Sequence, residues 1–125
     1  MTVYTIDEIT KMLDEIASEL PEGLFRELNG GVNLLDEIKK SSKDPEGGLY
    51  TLGEYHRDQM GRYITIYYGS LMAVYGKCTH KNMRKHLRDV LTHELTHHLE
   101  SLAGDRSLEI EDEMDMQDYF DRKNG

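Results

Sequence analysis

LTHELTHHLESLAGD, residues 91–105, holds three of the six histidines of the chain and two glutamates within one helical pattern. Its leucines fall mainly on one side of a helix, next to the side that carries two of the histidines. The pattern extends back to Asn82, and Gly104 is a residue type that commonly follows the last turn of a helix. We therefore predict a long helix over residues 82–103, with one face in a core and the adjacent face lining a cleft.

The remaining sequence predicts the elements on which this helix packs. Thr5 and Glu8 have the spacing of a capping box ahead of an apolar stripe that stops before Pro21, which predicts a first helix. The stretches GVNLLDEI, LYTLGEY and RYITIYY are rich in β-branched and aromatic residues and predict strands, the last two being antiparallel neighbours. The predicted segments are a helix at 6–19, a helical turn at 23–28, strands at 31–38, 49–55 and 62–68, a loop at 39–48, a short helix at 69–76, and a last helix in the acidic tail.

This order predicts an α+β fold, with a small β-sheet packed against the N-terminal helix and the long histidine helix. A length of 125 residues suits a single domain spanning 1–125. Hydrophobic residues make up 38% of the chain and charged residues 31%, which is typical of a globular protein.

Charge and cysteine content narrow the classes of function. The net charge of −9 disfavours nucleic acid as a partner, because the chain as a whole repels phosphates. No run of about 18 apolar residues occurs and the first residues lack the pattern of a secretion signal, so neither a membrane nor export is expected. Cys78 is the only cysteine, which excludes an internal disulfide and a cysteine-based zinc finger. We expect a cytoplasmic protein.

His93, Glu94 and His97 form the pattern H-E-x-x-H. Residues four apart on a helix differ by about 40° in direction and about 6 Å in height, so both imidazoles can reach one ion from the same side. Glu94 lies beside that position and is suited to take a proton from water bound there. The pattern predicts a zinc site; the alternative is a metal-free helix surface on which the histidines form ordinary hydrogen bonds.

A catalytic zinc commonly has three protein ligands, so the two histidines require a third. A helix that ends at Gly104 leaves about four or five extended residues for the chain to return to the height of the metal, which points to Glu109, then Asp112, then Asp105. His98 faces the core and is expected to form hydrogen bonds there. Glu100 lies one turn beyond His97 and is expected to contact the ligands rather than the ion.

Two long stretches of the sequence carry a resemblance to one known family. GLYTLGEYHRDQMGRYITIYYGSLMAVYG, from residue 48, and LRDVLTHELTHHLESLAGD, from residue 87, resemble the small bacterial zincin-like metallopeptidase family, also called minimal metalloproteases. The resemblance implies a zincin-like domain, zinc and a peptidase role. Many members have glycine three residues after the second histidine and aspartate three residues later. Glu100 and Ala103 stand there in this chain, so the third ligand does not carry over.

The leading hypothesis is a zinc metallopeptidase that hydrolyses peptide bonds in a peptide or protein substrate, with metal-activated water and Glu94 as general base. If RYITIYY is an edge strand beside the helix, its backbone pairs with the substrate, and Tyr63 or Tyr67 holds the substrate or the oxyanion. Packing is the competing role for both tyrosines. The alternative function is a catalytically silent zinc-binding module that recognises a protein partner.

Overall fold

A computed structural model of the chain describes residues 4–41, 49–59 and 61–109, with side chains up to residue 104. It has the predicted α+β architecture, in which helices pack on a three-stranded mixed sheet. The elements in chain order are α1 (Ile6–Glu19), a short 3₁₀ helix (Glu22–Phe25), β1 (Val32–Leu35), β2 (Gly53–Asp58), β3 (Gly61–Tyr67), α2 (Tyr68–Tyr75) and α3 (His80–Glu109).

Helix α1 begins at the predicted capping box. The hydroxyl of Thr5 accepts a hydrogen bond from the backbone N–H of Glu8, whose carboxylate accepts one from the backbone N–H of Thr5. These two bonds satisfy N–H groups that the first turn leaves without helical partners. The buried side chains of α1 are Ile9, Met12, Leu13 and Ile16. The predicted bounds of this helix are confirmed.

The sheet has the order β1-β3-β2, with β1 parallel and β2 antiparallel to β3. The prediction that the second and third strands are antiparallel neighbours is confirmed. The condition under which RYITIYY would pair with a substrate is not met, because β3 has a partner on each side and β2 occupies the edge instead. Thr65 and Tyr67, which alternate with the buried Ile64 and Ile66, are themselves only 4% and 5% exposed, so both faces of this part of β3 are covered.

Residues 56–58, which lie between the two predicted strands, extend the hairpin. His56, Arg57 and Asp58 continue β2, and Asp58 pairs directly with Gly61. Only residues 59 and 60 connect the two strands. The observed β2 therefore starts and ends later than the predicted strand, and its last residues carry polar side chains along the edge.

One hydrophobic core joins α1, α3 and the sheet. Helix α3 contributes Met83, Leu87, Leu91 and Leu95 to it, and β3 contributes Ile64 and Ile66. These α3 residues recur every four positions, which is why the histidine helix presents one continuous apolar side to the core. The residues of the H-E-x-x-H pattern consequently lie at the border of this side.

The predicted C-terminal end of the long helix is wrong. Helix α3 spans His80–Glu109 and continues through Gly104, which does not adopt a positive φ. A glycine inside a helix costs only about 1 kcal/mol relative to alanine, so one glycine does not have to end it. The predicted last helix was drawn from apolar residues between Leu108 and Phe120; Leu108 belongs to α3, and residues 110–125 lie outside the described part of the chain. None of the described helices is both long enough and apolar enough to cross a membrane.

Candidate functional site

His93 and His97 project side by side from the exposed face of α3. Their ring centroids are 4.8 Å apart and the ring planes are nearly perpendicular, at 89°. Two imidazoles bound to one tetrahedral zinc have centroids about 5 Å apart, given Zn–N bonds of about 2.0–2.1 Å. The separation of the two rings is therefore in the range expected for two ligands of one zinc ion.

Glu94 lies between α3 and β2 and is only 6% exposed. Its carboxylate makes no hydrogen bond within the described residues. Burial raises the pKa of Glu94 above its ordinary value, although the neighbouring His93 and His97 act in the opposite direction. A shielded carboxylate without a fixed partner is suited to accept a proton from a group that enters the cleft.

Gly53 allows α3 to approach β2 closely at this point. A Cβ atom on Gly53 would lie 2.9 Å from a methyl carbon of Val90 and 3.3 Å from Cγ of Glu94. The first distance is shorter than real Cβ contacts, and the Val90 side chain is β-branched and stiff. Glycine at this position therefore fixes the spacing between the strand and the base of the cleft.

We expect Gly53→Ala to lower the free energy of unfolding by about 1 to 3 kcal/mol, because strand and helix must separate to admit the methyl group. Chemical denaturation measures this change. Gly23→Ala is the matched control, since a Cβ atom there has no neighbour within 4 Å, and its effect should stay below about 1 kcal/mol. Equal stability of wild type and Gly53→Ala would show that the contact is not tight.

A cleft runs along α3 beside β2 and widens into two cavities. The larger, of about 780 Å³, is lined by Gly53, Glu54, Tyr55, His56, His93, Glu94, His97, Glu100 and Ser101. The smaller, of about 420 Å³, lies toward the start of α3. Gly53, His93 and Glu94 line both cavities. The H-E-x-x-H pattern thus occupies the middle of one continuous groove.

The strand beside this groove is β2, whose outer edge has no strand partner among residues 4–41, 49–59 and 61–109. The backbone N–H of Tyr67 donates to the carbonyl of Leu52. In the antiparallel register, every second residue starting at Leu52 therefore points its backbone N–H and C=O groups toward β3. The backbone groups of Gly53 and Tyr55 point the other way, to the free edge. Such an edge is a template for pairing with an extended peptide.

Tyr63 and Tyr67, the predicted substrate-binding residues, lie on the central strand β3 and not at this edge. The Tyr67 hydroxyl donates to the carboxylate of Glu54 at 2.6 Å. The ring of Tyr63 stacks on His56, with centroids 4.7 Å apart. Each tyrosine therefore contacts a residue that lines the larger cavity and does not line it itself.

Glu54 and His56 were not singled out by the sequence. Glu54 also accepts a hydrogen bond from Lys39 at 2.6 Å, and His56 Nε2 lies 3.4 Å from the same carboxylate. Burial alone would raise the pKa of Glu54, but the hydrogen bonds from Lys39 and Tyr67 outweigh it and lower that pKa. The sequence pattern that could have identified them is the alternation of polar residues on β2, but only the strand order places these residues beside α3.

Glu100 contacts His97, as expected from its position one turn along the helix. Its Oε1 atom lies 3.4 Å from Nδ1 of His97. A carboxylate on this side favours the tautomer with a proton on Nδ1, which leaves Nε2 of His97 available as a ligand.

His98 is fully buried and joins three parts of the fold. Its Nε2–H donates to the carbonyl of Arg26 at 2.7 Å, so Nδ1 accepts a hydrogen bond from the hydroxyl of Tyr55 at 2.9 Å. The prediction that His98 faces the core and forms hydrogen bonds is confirmed. Because Tyr55 belongs to β2, these bonds hold the edge strand against α3 next to His97.

We expect His98→Ala to lower the free energy of unfolding by about 2 to 4 kcal/mol, since it leaves a cavity and removes the partners of two polar groups. His80→Ala, on the exposed first turn of the same helix, should cost less than about 1 kcal/mol. Denaturant titration of both variants checks the difference. Similar losses in the two variants would contradict the connecting role of His98.

The predicted third ligands are not described at the side-chain level. Among residues with described side chains, no group of three histidine, cysteine, aspartate or glutamate residues is arranged to hold a metal ion. Asp112 lies outside the described residues, and so do the side chains of Asp105 and Glu109. The backbone of Glu109 is twelve residues beyond His97 on a continuous helix, or about 18 Å along its axis. The return path on which Glu109 was predicted is therefore not observed, and the third ligand stays a prediction.

No family model and no curated protein matches the chain. Among solved structures, it is similar to a conserved hypothetical protein from Thermus thermophilus, with a TM-score of 0.67 and 32% sequence identity. The match covers 80% of this chain and 98% of that chain. The similarity therefore includes sequence as well as fold and spans almost the whole of the other protein.

Proposed function

This chain belongs to the same family as the conserved hypothetical protein from Thermus thermophilus, and we propose that it is a zinc-dependent peptidase with a zincin-like fold. The observation that carries the proposal is the surroundings of Glu94. This buried carboxylate has no hydrogen-bond partner among the described residues, lies beside two paired imidazoles, and lines a groove next to an unpaired strand edge. A structural zinc site has four protein ligands and no use for such a base.

The described side chains supply part of the ligand set that a zinc ion needs. His93 and His97 supply two nitrogen ligands, the contact with Glu100 leaves Nε2 of His97 available, and an acidic residue downstream is proposed as the third ligand. When bound, zinc supplies a Lewis acid that polarises the scissile carbonyl and lowers the pKa of water. The protein itself provides the base, the groove and the strand edge.

In the proposed reaction, the substrate is an extended peptide that pairs with the backbone groups of Gly53 and Tyr55. Pairing with this edge fixes the peptide beside His93 and His97, which replaces the role first predicted for β3. Glu94 takes a proton from the attacking water and delivers it to the amine of the leaving peptide. Its buried position limits competition by bulk solvent for this proton.

The test uses protein purified without a histidine tag. Bound metal is measured first, and a peptide library is then incubated with the protein before and after removal of metal by a chelator. We expect one zinc ion per chain and cleavage that stops on chelation and returns with zinc. Zinc without cleavage would favour a silent binding module, and absence of zinc binding would exclude both functions.

A further inference from the structure

The proposed reaction uses His93 and Glu94 at one side of the smaller cavity and leaves the rest of it without a role. It lies between α3, α2 and the residues just before β2, on the side of Glu94 toward the start of α3. Because it shares Gly53, His93 and Glu94 with the larger cavity, it opens directly beside the proposed cleavage position. Its volume of about 420 Å³ leaves room for a long side chain.

Part of the wall of this cavity is flat and apolar. The rings of Tyr75 and His86 stack almost in parallel, at 11° and with centroids 3.7 Å apart. Leu52 and Val90 add aliphatic surface, and Tyr50 adds a second aromatic ring. Such walls suit the methylene stem of a lysine or arginine side chain, whose charged end reaches polar groups at one side.

The charge of the cavity is negative. Asp89 and Glu94 both line it, and neither carboxylate has a hydrogen bond or ion pair in the described part of the chain. Among the described lining residues there is no lysine or arginine. Glu94 is only 6% exposed and its side chain lines the cavity, so less water reaches it than reaches a carboxylate on the open surface. A cationic side chain in this cavity would meet the exposed carboxylate of Asp89 and the carboxylate of Glu94, neither of which is neutralised by an ion pair among the described residues.

β2 begins beside this cavity and continues along the position proposed for the peptide. Beside α3, the strand passes from Gly53, next to Val90, to Tyr55, which bonds to His98. Leu52, just before the strand, lines the smaller cavity. Residues 49–51, just before the strand, are already hydrogen-bonded to residues 39–41, so a peptide paired with the edge of β2 reaches the opening of this cavity at Gly53, on one side of Glu94. One of its side chains is then positioned to enter.

We propose that this cavity is a side-chain subsite for lysine or arginine, and that Asp89 determines the preference. The inference rests on the proposed function for the position of the peptide, but binding at the subsite does not require cleavage. An aromatic side chain stacked on Tyr75 is the competing occupant, and the charge of the cavity favours the basic one.

The experiment measures binding of fluorescent peptides in the presence of a chelator, so that the metal-dependent reaction does not consume them. The peptides share one sequence and carry arginine, lysine, citrulline, phenylalanine or glutamate at a single position, which is moved along the peptide in a series. We expect arginine and lysine at one position to bind at least about tenfold more tightly than citrulline, which has nearly the same shape without the charge.

Asp89→Asn should remove this preference, and Asp89→Lys should favour the glutamate peptide. Asp36→Asn, at an exposed carboxylate after β1, is the matched control and should keep it. Each of four results would overturn the proposal: equal binding of the arginine and citrulline peptides, tighter binding of the phenylalanine peptide, no binding of any peptide, or a basic preference that survives Asp89→Asn. A basic preference in a protein that cleaves nothing with zinc would overturn the peptidase function alone. Cleavage without a basic preference would overturn the subsite alone.

Discussion

Glu94→Gln is expected to slow peptide hydrolysis by a factor of about 10² to 10⁴ and to leave the zinc content unchanged. Glutamine keeps the size of the side chain and its position between α3 and β2, but it does not accept the proton of the attacking water. Glu94 lies beside the two imidazoles, so its replacement leaves His93 and His97 in place. The measurements are kcat on a peptide that the wild type cleaves and the metal content of both proteins.

Glu100→Gln is the matched control for this prediction. Glu100 is a second glutamate on α3 that lines the larger cavity, but it is exposed and contacts the ring of His97 instead of the space beside Gly53. Its replacement should cost about tenfold or less in kcat, in line with a residue that only orients a ligand. Equal losses in the two variants, or full activity of Glu94→Gln, would contradict the role of Glu94 as the base.

His97→Ala is expected to weaken zinc binding by at least about 100-fold, because it leaves a single imidazole from α3 at the site. Competition with a chromophoric chelator measures the affinity in tag-free protein. His80→Ala on the same helix removes an exposed histidine outside the groove and should bind zinc as the wild type does. Zinc binding by His97→Ala with wild-type affinity would place the metal elsewhere or show that the two histidines have no metal role.

The local elements follow from the sequence because their causes are local. The capping box of Thr5 and Glu8 sets the start of α1, and the helical spacing of leucines around His93 sets the core side of α3. The same spacing places His98 in the core and the H-E-x-x-H residues at its border. These relations depend only on residues a few positions apart, so helix geometry alone predicts them.

The strand order and the substrate edge depend on contacts between distant segments. The alternating pattern and the aromatic residues of β3 would also suit an edge strand. However, β1 pairs with β3 in parallel and occupies its second edge. The edge next to α3 therefore belongs to β2, and Glu54 and His56 enter the groove with it. Nothing in the spacing of these two residues distinguishes them from solvated charges on a hairpin.

The third ligand was predicted from the assumption that Gly104 ends the helix. Glycine accepts helical as well as left-handed backbone angles, so its presence does not decide between an end and a continuation. Because α3 continues to Glu109, the distance along the helix no longer favours that residue over Asp112. The choice between them depends on which carboxylate lies within reach of His93 and His97.

The most direct test of a zinc site in the groove is anomalous diffraction at the zinc absorption edge from crystals of the tag-free protein grown with zinc. We predict one strong peak within about 2.0–2.1 Å of a ring nitrogen of both His93 and His97, on the side of α3 that faces β2, with a carboxylate from the acidic end of the chain as a further ligand. A map with no peak between these two histidines would contradict the proposed zinc site. This holds whether zinc is fully bound elsewhere or not bound at all.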